Sequence, residues 1–289
     1  MLRLFTDTDC DVTPAIAREY GYSLISMPYT LNGKTVFPYE ESDAFDFHSF
    51  YDTLRSGAIP TTSSISTERY TEIFEPVFAA GDDILYVHFS RAMTATFDAM
   101  DQAVETLLAR YPGRKFYAID TKGITIVSLA IALAVGDLIR SGKTPEEVLE
   151  WAREEVDRYA IYFFADDLKF FRHSGRVSGL ASTMGTLLGV RPIIYMNSEG
   201  KMVSIGSERG RARAINKLMR YLDELGSNAA SHRIIIGHTD APEIASAVEQ
   251  ELRSKFGESA NILTVTVNPT TGGHCGPNGV GICFHALHR

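Results

Sequence analysis

The chain has 289 residues, 45% of them hydrophobic and 22% charged, and a formal net charge of −8. That length admits two domains with real cores, and the acidic balance argues against nucleic acid, whose binders carry a basic face. Three cysteines, Cys10, Cys275 and Cys283, without a Cys-x-x-Cys, fit a reducing cytoplasm and supply no zinc site.

The chain opens directly on a predicted strand, residues 2–5, with no signal peptide ahead of it. Residues 22–27, 84–89 and 116–119 are further apolar runs of strand length bounded by polar turns. Helical patterns lie between them. Thr13-Pro14 opens one as a cap followed by proline at the first helical position, and Thr144-Pro145-Glu146-Glu147 opens another with a capping box. The longest apolar run, residues 124–139, contains Asp137 and is too short to span a bilayer, so it reads as a buried helix and no stable membrane insertion is expected. Strands alternating with helices predict a largely parallel sheet flanked by helices.

Beyond about residue 160 the pattern changes. Residues 161–165 read as a strand, followed by a short helical stretch and the basic turn Arg172-His173-Ser174-Gly175-Arg176. Residues 193–197 and 201–207 flank Ser198-Glu199-Gly200 as a hairpin. Ile215, Leu218, Met219, Leu222 and Leu225 repeat at helical spacing. Two more strands, 233–237 and 262–267, enclose a helix starting near Pro242. The fold class expected is α/β: an N-terminal parallel α/β domain over residues 1–160 and a C-terminal α/β domain, α+β-like in its hairpins, over 161–289.

Five segments carry candidate chemistry. Thr6-Asp7-Thr8-Asp9-Cys10-Asp11 follows the first strand, where parallel sheets bind ligands. Asp9 and Asp11 imitate the Asp-x-Asp start of haloacid-dehalogenase-type phosphatases, with Asp166-Asp167 as a second acidic pair; the alternative is that they cap the turn. Pro60-Thr61-Thr62-Ser63-Ser64-Ile65-Ser66 offers five hydroxyls in seven residues, for a carboxylate or for a helix cap near Thr67. Ser90-Arg91-Ala92-Met93-Thr94-Ala95-Thr96 is a strand-to-helix turn suited to an anion or, again, to a cap. Arg172 and Arg176 flank a glycine turn, while Arg209, Arg213, Lys217 and Arg220 share one helical face, either solvated or a docking surface for an acidic partner or phosphate. Last comes Thr270-Thr271-Gly272-Gly273-His274-Cys275-Gly276-Pro277-Asn278-Gly279-Val280-Gly281. Five glycines around one histidine, without the lysine of a P-loop, read as an anion clamp or as a plain C-terminal turn.

In order and spacing these segments resemble the DegV family of bacterial fatty-acid-binding proteins over nearly the whole chain. Thr6-Asp7-Thr8-Asp9-Cys10-Asp11-Val12 is similar to its opening Thr-Asp-Ser-x-x-Asp-Leu, and Pro60–Ser66 to its Thr-Ser-x-x-Ser loop. Asp120-Thr121-Lys122, Ser174-Gly175-Arg176-Val177-Ser178, Arg191-Pro192-Ile193, Arg209-Gly210-Arg211 and His274-x-Gly276-Pro277 continue the series. The resemblance implies a cytoplasmic, non-catalytic carrier of a long-chain fatty acid that needs no cofactor or metal and presents its ligand to a separate fatty-acid kinase. It places the carboxylate on Thr62, Thr94 and His274, with Ser63 and Ser90 close by, and leaves Arg172, Arg176, Arg209 and Arg211 for phosphate or partner contact. Thr94-Ala95-Thr96-Phe97 departs from the family's Ser-Gly-Thr-Tyr. The competing readings are a magnesium-dependent phosphatase using Asp9 and Asp11, or a regulatory module binding another small anion.

Overall fold

Four parallel strands build the first sheet, in the spatial order Tyr22–Ile25, Leu2–Asp7, Asp83–His88 and Phe116–Asp120. The computed structural model describes residues 1–179 and 189–289. Leu85, Tyr86 and Val87 are fully buried whichever way they point, because helices cover both faces, and so the strand reads as a continuous apolar run. A small antiparallel sheet, Lys34–Val36, Tyr29–Leu31 and Thr61–Thr62, lies beside it and carries the first hydroxyl loop.

The second sheet is mixed and seven-stranded: Ile262–Thr266, Ile234–His238, Val280–His285, Tyr159–Phe164, Val190–Met196, Met202–Arg209 and Val177–Ser178. Its hairpin and its long helix, Arg211–Leu225, fall where the pattern predicts them. One central strand, Val280–His285, is unmarked by the sequence reading.

The apolar run of the sequence is the helix Ile126–Arg140. It touches both the first-sheet strand Asp83–His88 and three strands of the second sheet, and a single cluster of buried residues continues from Leu4 and Val87 through Leu129 to Ile235 and Cys283. No helix among the described residues is long and apolar enough to cross a membrane.

The tail corrects the reading of residues 270–275 as a loop. Pro269–Cys275 is a helix, capped by the Asn268 side chain accepting from the Thr271 N–H. Its glycines serve close packing. A Cβ on Gly272 would lie 2.1 Å from the Tyr51 hydroxyl, and one on Gly273 2.5 Å from Pro60 Cγ. Tyr51 is fully buried and its hydroxyl donates to the Val267 carbonyl at 2.9 Å, so it has little room to yield.

Candidate ligand-binding site

Three loops and the tail helix converge on one cavity of about 190 Å³. Thr62 reaches it from the short strand that pairs with Tyr29–Leu31, and His274 from the last turn of the tail helix. Their side chains meet, Thr62 Oγ1 to His274 Nε2, at 3.1 Å. Ser63, Ser64 and Thr94 also line the space. Thr94 Oγ1 accepts from the Thr96 N–H at 3.1 Å, and Thr96 Oγ1 accepts from the Ile65 N–H at 2.9 Å, which ties the two hydroxyl loops together. Thr96 is fully buried and acts on the site only through these bonds.

The structure places Ser90 elsewhere. Its buried hydroxyl donates to the Gly200 carbonyl at 2.8 Å and accepts from the Ala92 N–H, binding the turn of the second-sheet hairpin to the first sheet. Gly200 is required there, since a Cβ would sit 2.2 Å from Ser90 Oγ.

The basic residues divide as well. Arg176 lines the cavity itself, while one of its N–H groups donates to the Ser174 carbonyl at 2.8 Å. A second hollow of about 150 Å³, bordered by Phe170, His173, Arg176 and His274, opens on the other side of the imidazole. Arg172 and Arg209 are exposed, and neither lines these cavities. Arg211 pairs with Asp166 at 2.7 Å, as does Arg191 at 2.6 Å, so the carboxylate of Asp166 is already matched by two guanidinium groups.

The electrostatics favour a neutral imidazole. Burial, with the nearby positive charges of Arg176 and His173, pushes His274 down to about 4. An arriving anion reverses part of that effect, because an opposite charge favours the protonated ring.

Asp9 lines the same cavity, a placement sequence reading reached only through the phosphatase analogy. Asp11 is engaged elsewhere, accepting from the Asn268 backbone N–H at 2.8 Å and from its side chain at 2.7 Å. Asp7, Asp9 and Asp11 do not gather their oxygens into one metal-sized cluster; among the described residues the group that does is His48, Asp52 and Asp240. The donor set a magnesium-dependent phosphatase needs is therefore not assembled around Asp9 and Asp11.

At Ile124 the polar cavity adjoins an apolar cleft, which holds about 40 Å³ and runs between the start of the central helix and the second sheet, past Ile161, Phe163, Met196, Met202 and Val280. Thr125, on its wall, has φ 57 and ψ −132, an unusual conformation for a β-branched residue, and its N–H donates to the Asp9 carbonyl at 2.7 Å. Such strain collects where ligands bind.

The sequence pattern that defines the DegV family, described as an uncharacterised protein family, matches residues 1–287. A DegV domain-containing protein of Clostridium perfringens is 26% identical over 281 residues, covering 97% of this chain and 96% of the relative. One of Lactococcus lactis is 26% identical over 288 residues, with 97% and 96% covered. Among solved structures, a DegV family protein of Thermus thermophilus described for fatty acid binding superposes with a TM-score of 0.86 at 21% identity, covering 99% of each chain. A stearic acid-binding protein of Eubacterium ventriosum gives 0.87 at 20% identity, with 99% of this chain and 98% of that one covered. DegV of Bacillus subtilis, described as a fatty acid binding protein, gives 0.82 at 23% identity, with 99% of each covered. At these identities the superpositions establish the fold, and the match over residues 1–287 establishes the family: this chain belongs to the DegV family.

Proposed function

We propose that this chain is a carrier of a long-chain fatty acid, whose carboxylate sits against Thr62, Thr94 and His274 and whose acyl chain enters the apolar cleft. The observation that carries the reading is the Thr62–His274 contact, formed across 212 positions of sequence at the end of a cavity that meets an apolar cleft at Ile124. A hydroxyl and an imidazole can satisfy a carboxylate without nucleophile, metal or cofactor. Burying about fifteen methylenes yields on the order of 12 kcal/mol gross, and association costs consume a substantial part of it.

The cleft is narrower than the roughly 300–1,000 Å³ of most ligand sites. Opening it falls to Met196 and Met202, whose unbranched side chains repack readily. In this reading the segments 1–160 and 161–289 are the two domains, with the tail helix of the second completing the site on the first. The carrier hands its ligand, in the cytoplasm, to a separate fatty-acid kinase. The hollow beyond His274 gives the growing acyl phosphate room beside Arg176, and exposed Arg172 and Arg209 are placed to steer an acidic partner.

Organic extraction of freshly purified protein with mass spectrometry tests the reading. Near-stoichiometric fatty acid is expected. Trace lipid, together with no fatty-acid binding by delipidated protein, would leave a module for some other small anion.

A further inference from the structure

We propose that Asp9 is a specificity-determining residue of the carboxylate site: its carboxyl group, held protonated, donates a hydrogen bond to the ligand's carboxylate, so that the two share a single proton. This rests on the fatty-acid reading above and says what selects an acid over other lipids.

The placement is geometric. Asp9 sits in the single turn Thr8–Cys10 that ends the first strand, and its carbonyl is pinned by the Thr125 N–H. Its side chain lines the cavity with Thr62, Thr94, Arg176, Thr270 and His274, yet the residue is only 4% exposed. Oδ1 is buried with no hydrogen-bond partner. A buried carboxyl oxygen left unmatched is costly, and a carboxylate left ionised there costs more.

The surrounding groups leave the proton on it. Asp7 and Asp11 flank it on its own segment, both buried, with the Cys10 thiol between and the Tyr86 hydroxyl against Asp7. The tail helix presents the Thr270 hydroxyl, the His274 imidazole and the Cys275 thiol; residues 173–176 contribute His173 and Arg176. Burial is the largest influence on Asp9 and raises it well above the usual carboxylate range; the charges of Asp7 and Asp11 add to this, and a hydrogen bond from Thr270 opposes it. His274 is neutral, and the Arg176 side chain is exposed and already donating to Ser174. Two carboxylates in one enclosed site retain one proton between them, and an O–H···O⁻ hydrogen bond is among the strong ones.

The experiment is calorimetric titration of the full chain with stearic acid, and with octadecanol as the uncharged control, between about pH 6 and about pH 10 in buffers of different ionisation heat. Once Asp9 ionises in the free protein, the stearic acid Kd should rise up to tenfold per pH unit, with uptake approaching one proton per ligand, while octadecanol stays flat. Asp9→Asn keeps a donor but cannot titrate, so slope and uptake should vanish. His274→Asn should bind more weakly yet keep the uptake. A wild-type slope in Asp9→Asn, a flat wild-type profile, or uptake lost with His274→Asn would overturn the inference. Should Asp9→Asn fail to fold, the wild-type and His274→Asn titrations decide alone. Stearic acid binding with no proton linkage defeats only the role of Asp9; no binding of stearic acid at all defeats the fatty-acid reading.

Discussion

Thr62, Arg176 and His274 each meet the ligand by different physics, and three substitutions separate them. Thr62→Val keeps the shape and removes a hydrogen bond to a charged group, worth roughly 1.5–3 kcal/mol, so stearic acid affinity should fall roughly ten- to 150-fold. His274→Ala should lose a similar amount. Octadecanol should be much less affected in both, because it brings no charge; equal losses for acid and alcohol would show damage to the fold. Arg176 was expected from sequence to serve handover rather than holding, but the structure puts it on the cavity wall. Arg176→Ala should weaken stearic acid binding a few-fold at low salt, with the difference shrinking as salt screens the exposed guanidinium. It should also let His274 titrate higher, since the positive charge of Arg176 is one of the causes holding that ring near 4. A histidine-resolved NMR titration reads this directly, and an unmoved His274 would show that the two groups are not coupled.

At the scale of elements, the tail helix transmits fold to site. Gly→Ala inside an open helix gains roughly 0.5–1 kcal/mol, but Gly272→Ala should instead lose about 1–3 kcal/mol through overpacking. The new methyl runs into the Tyr51 ring, with the hydroxyl at 2.1 Å and Cζ at 2.8 Å. Tilting the helix to relieve this draws His274 away from Thr62, so ligand binding should fall together with Tm. Adding Tyr51→Phe removes the nearer atom and should restore part of both losses; no recovery in the double variant would mean the contact is not the cause. Nothing in the sequence announced this helix, because glycine is a poor helix former and a Gly-Gly-His run imitates a loop. The parallel strands were legible for the opposite reason: buried on both faces, they read as unbroken apolar runs. The caps at Thr13 and Thr144 were equally plain, and both side chains accept the expected N–H groups. Asn32-Gly33, with φ of 51° and 77°, joins Tyr29–Leu31 to Lys34–Val36 and is a hairpin signal the reading passed over. The hydroxyls and His274 were found through ordered motifs. Asp9 and Arg176 entered the site only when the chain folded, since local pattern says nothing about which distant loops share a wall.

For the whole molecule, the buried titratable groups set a pH dependence whose sign can be worked out. Burial raises Asp7 and Asp11 from 3.8 to about 7, and lowers His88 and His274 from 6.5 to about 4. The raised carboxyls hold protons that the unfolded chain gives up above 3.8, so the stability they bring is lost as pH rises through about 7. The histidines act the other way: their contribution is present above 6.5 and is lost as pH falls toward 4. Between those limits the two sets oppose each other. Above 6.5 the histidines are neutral in both states and only the carboxyls still change, Asp9 extending the effect beyond 7. Paired surface carboxylates such as Asp82 are held low and titrate beneath this window. One buried cluster spans both sheets, so local losses are expected to register in a single unfolding transition. Stability from urea unfolding should therefore decline as pH is raised from about 6.5 to about 8.5, each fully linked proton contributing about 1.4 kcal/mol per pH unit. Asp7→Asn keeps an oxygen to accept from the Tyr86 hydroxyl and the Phe89 N–H while removing the titration, so it should flatten the decline. A wild-type profile that stays level above pH 6.5, or one that Asp7→Asn leaves unchanged, would mean that Asp7 is already ionised in the folded protein.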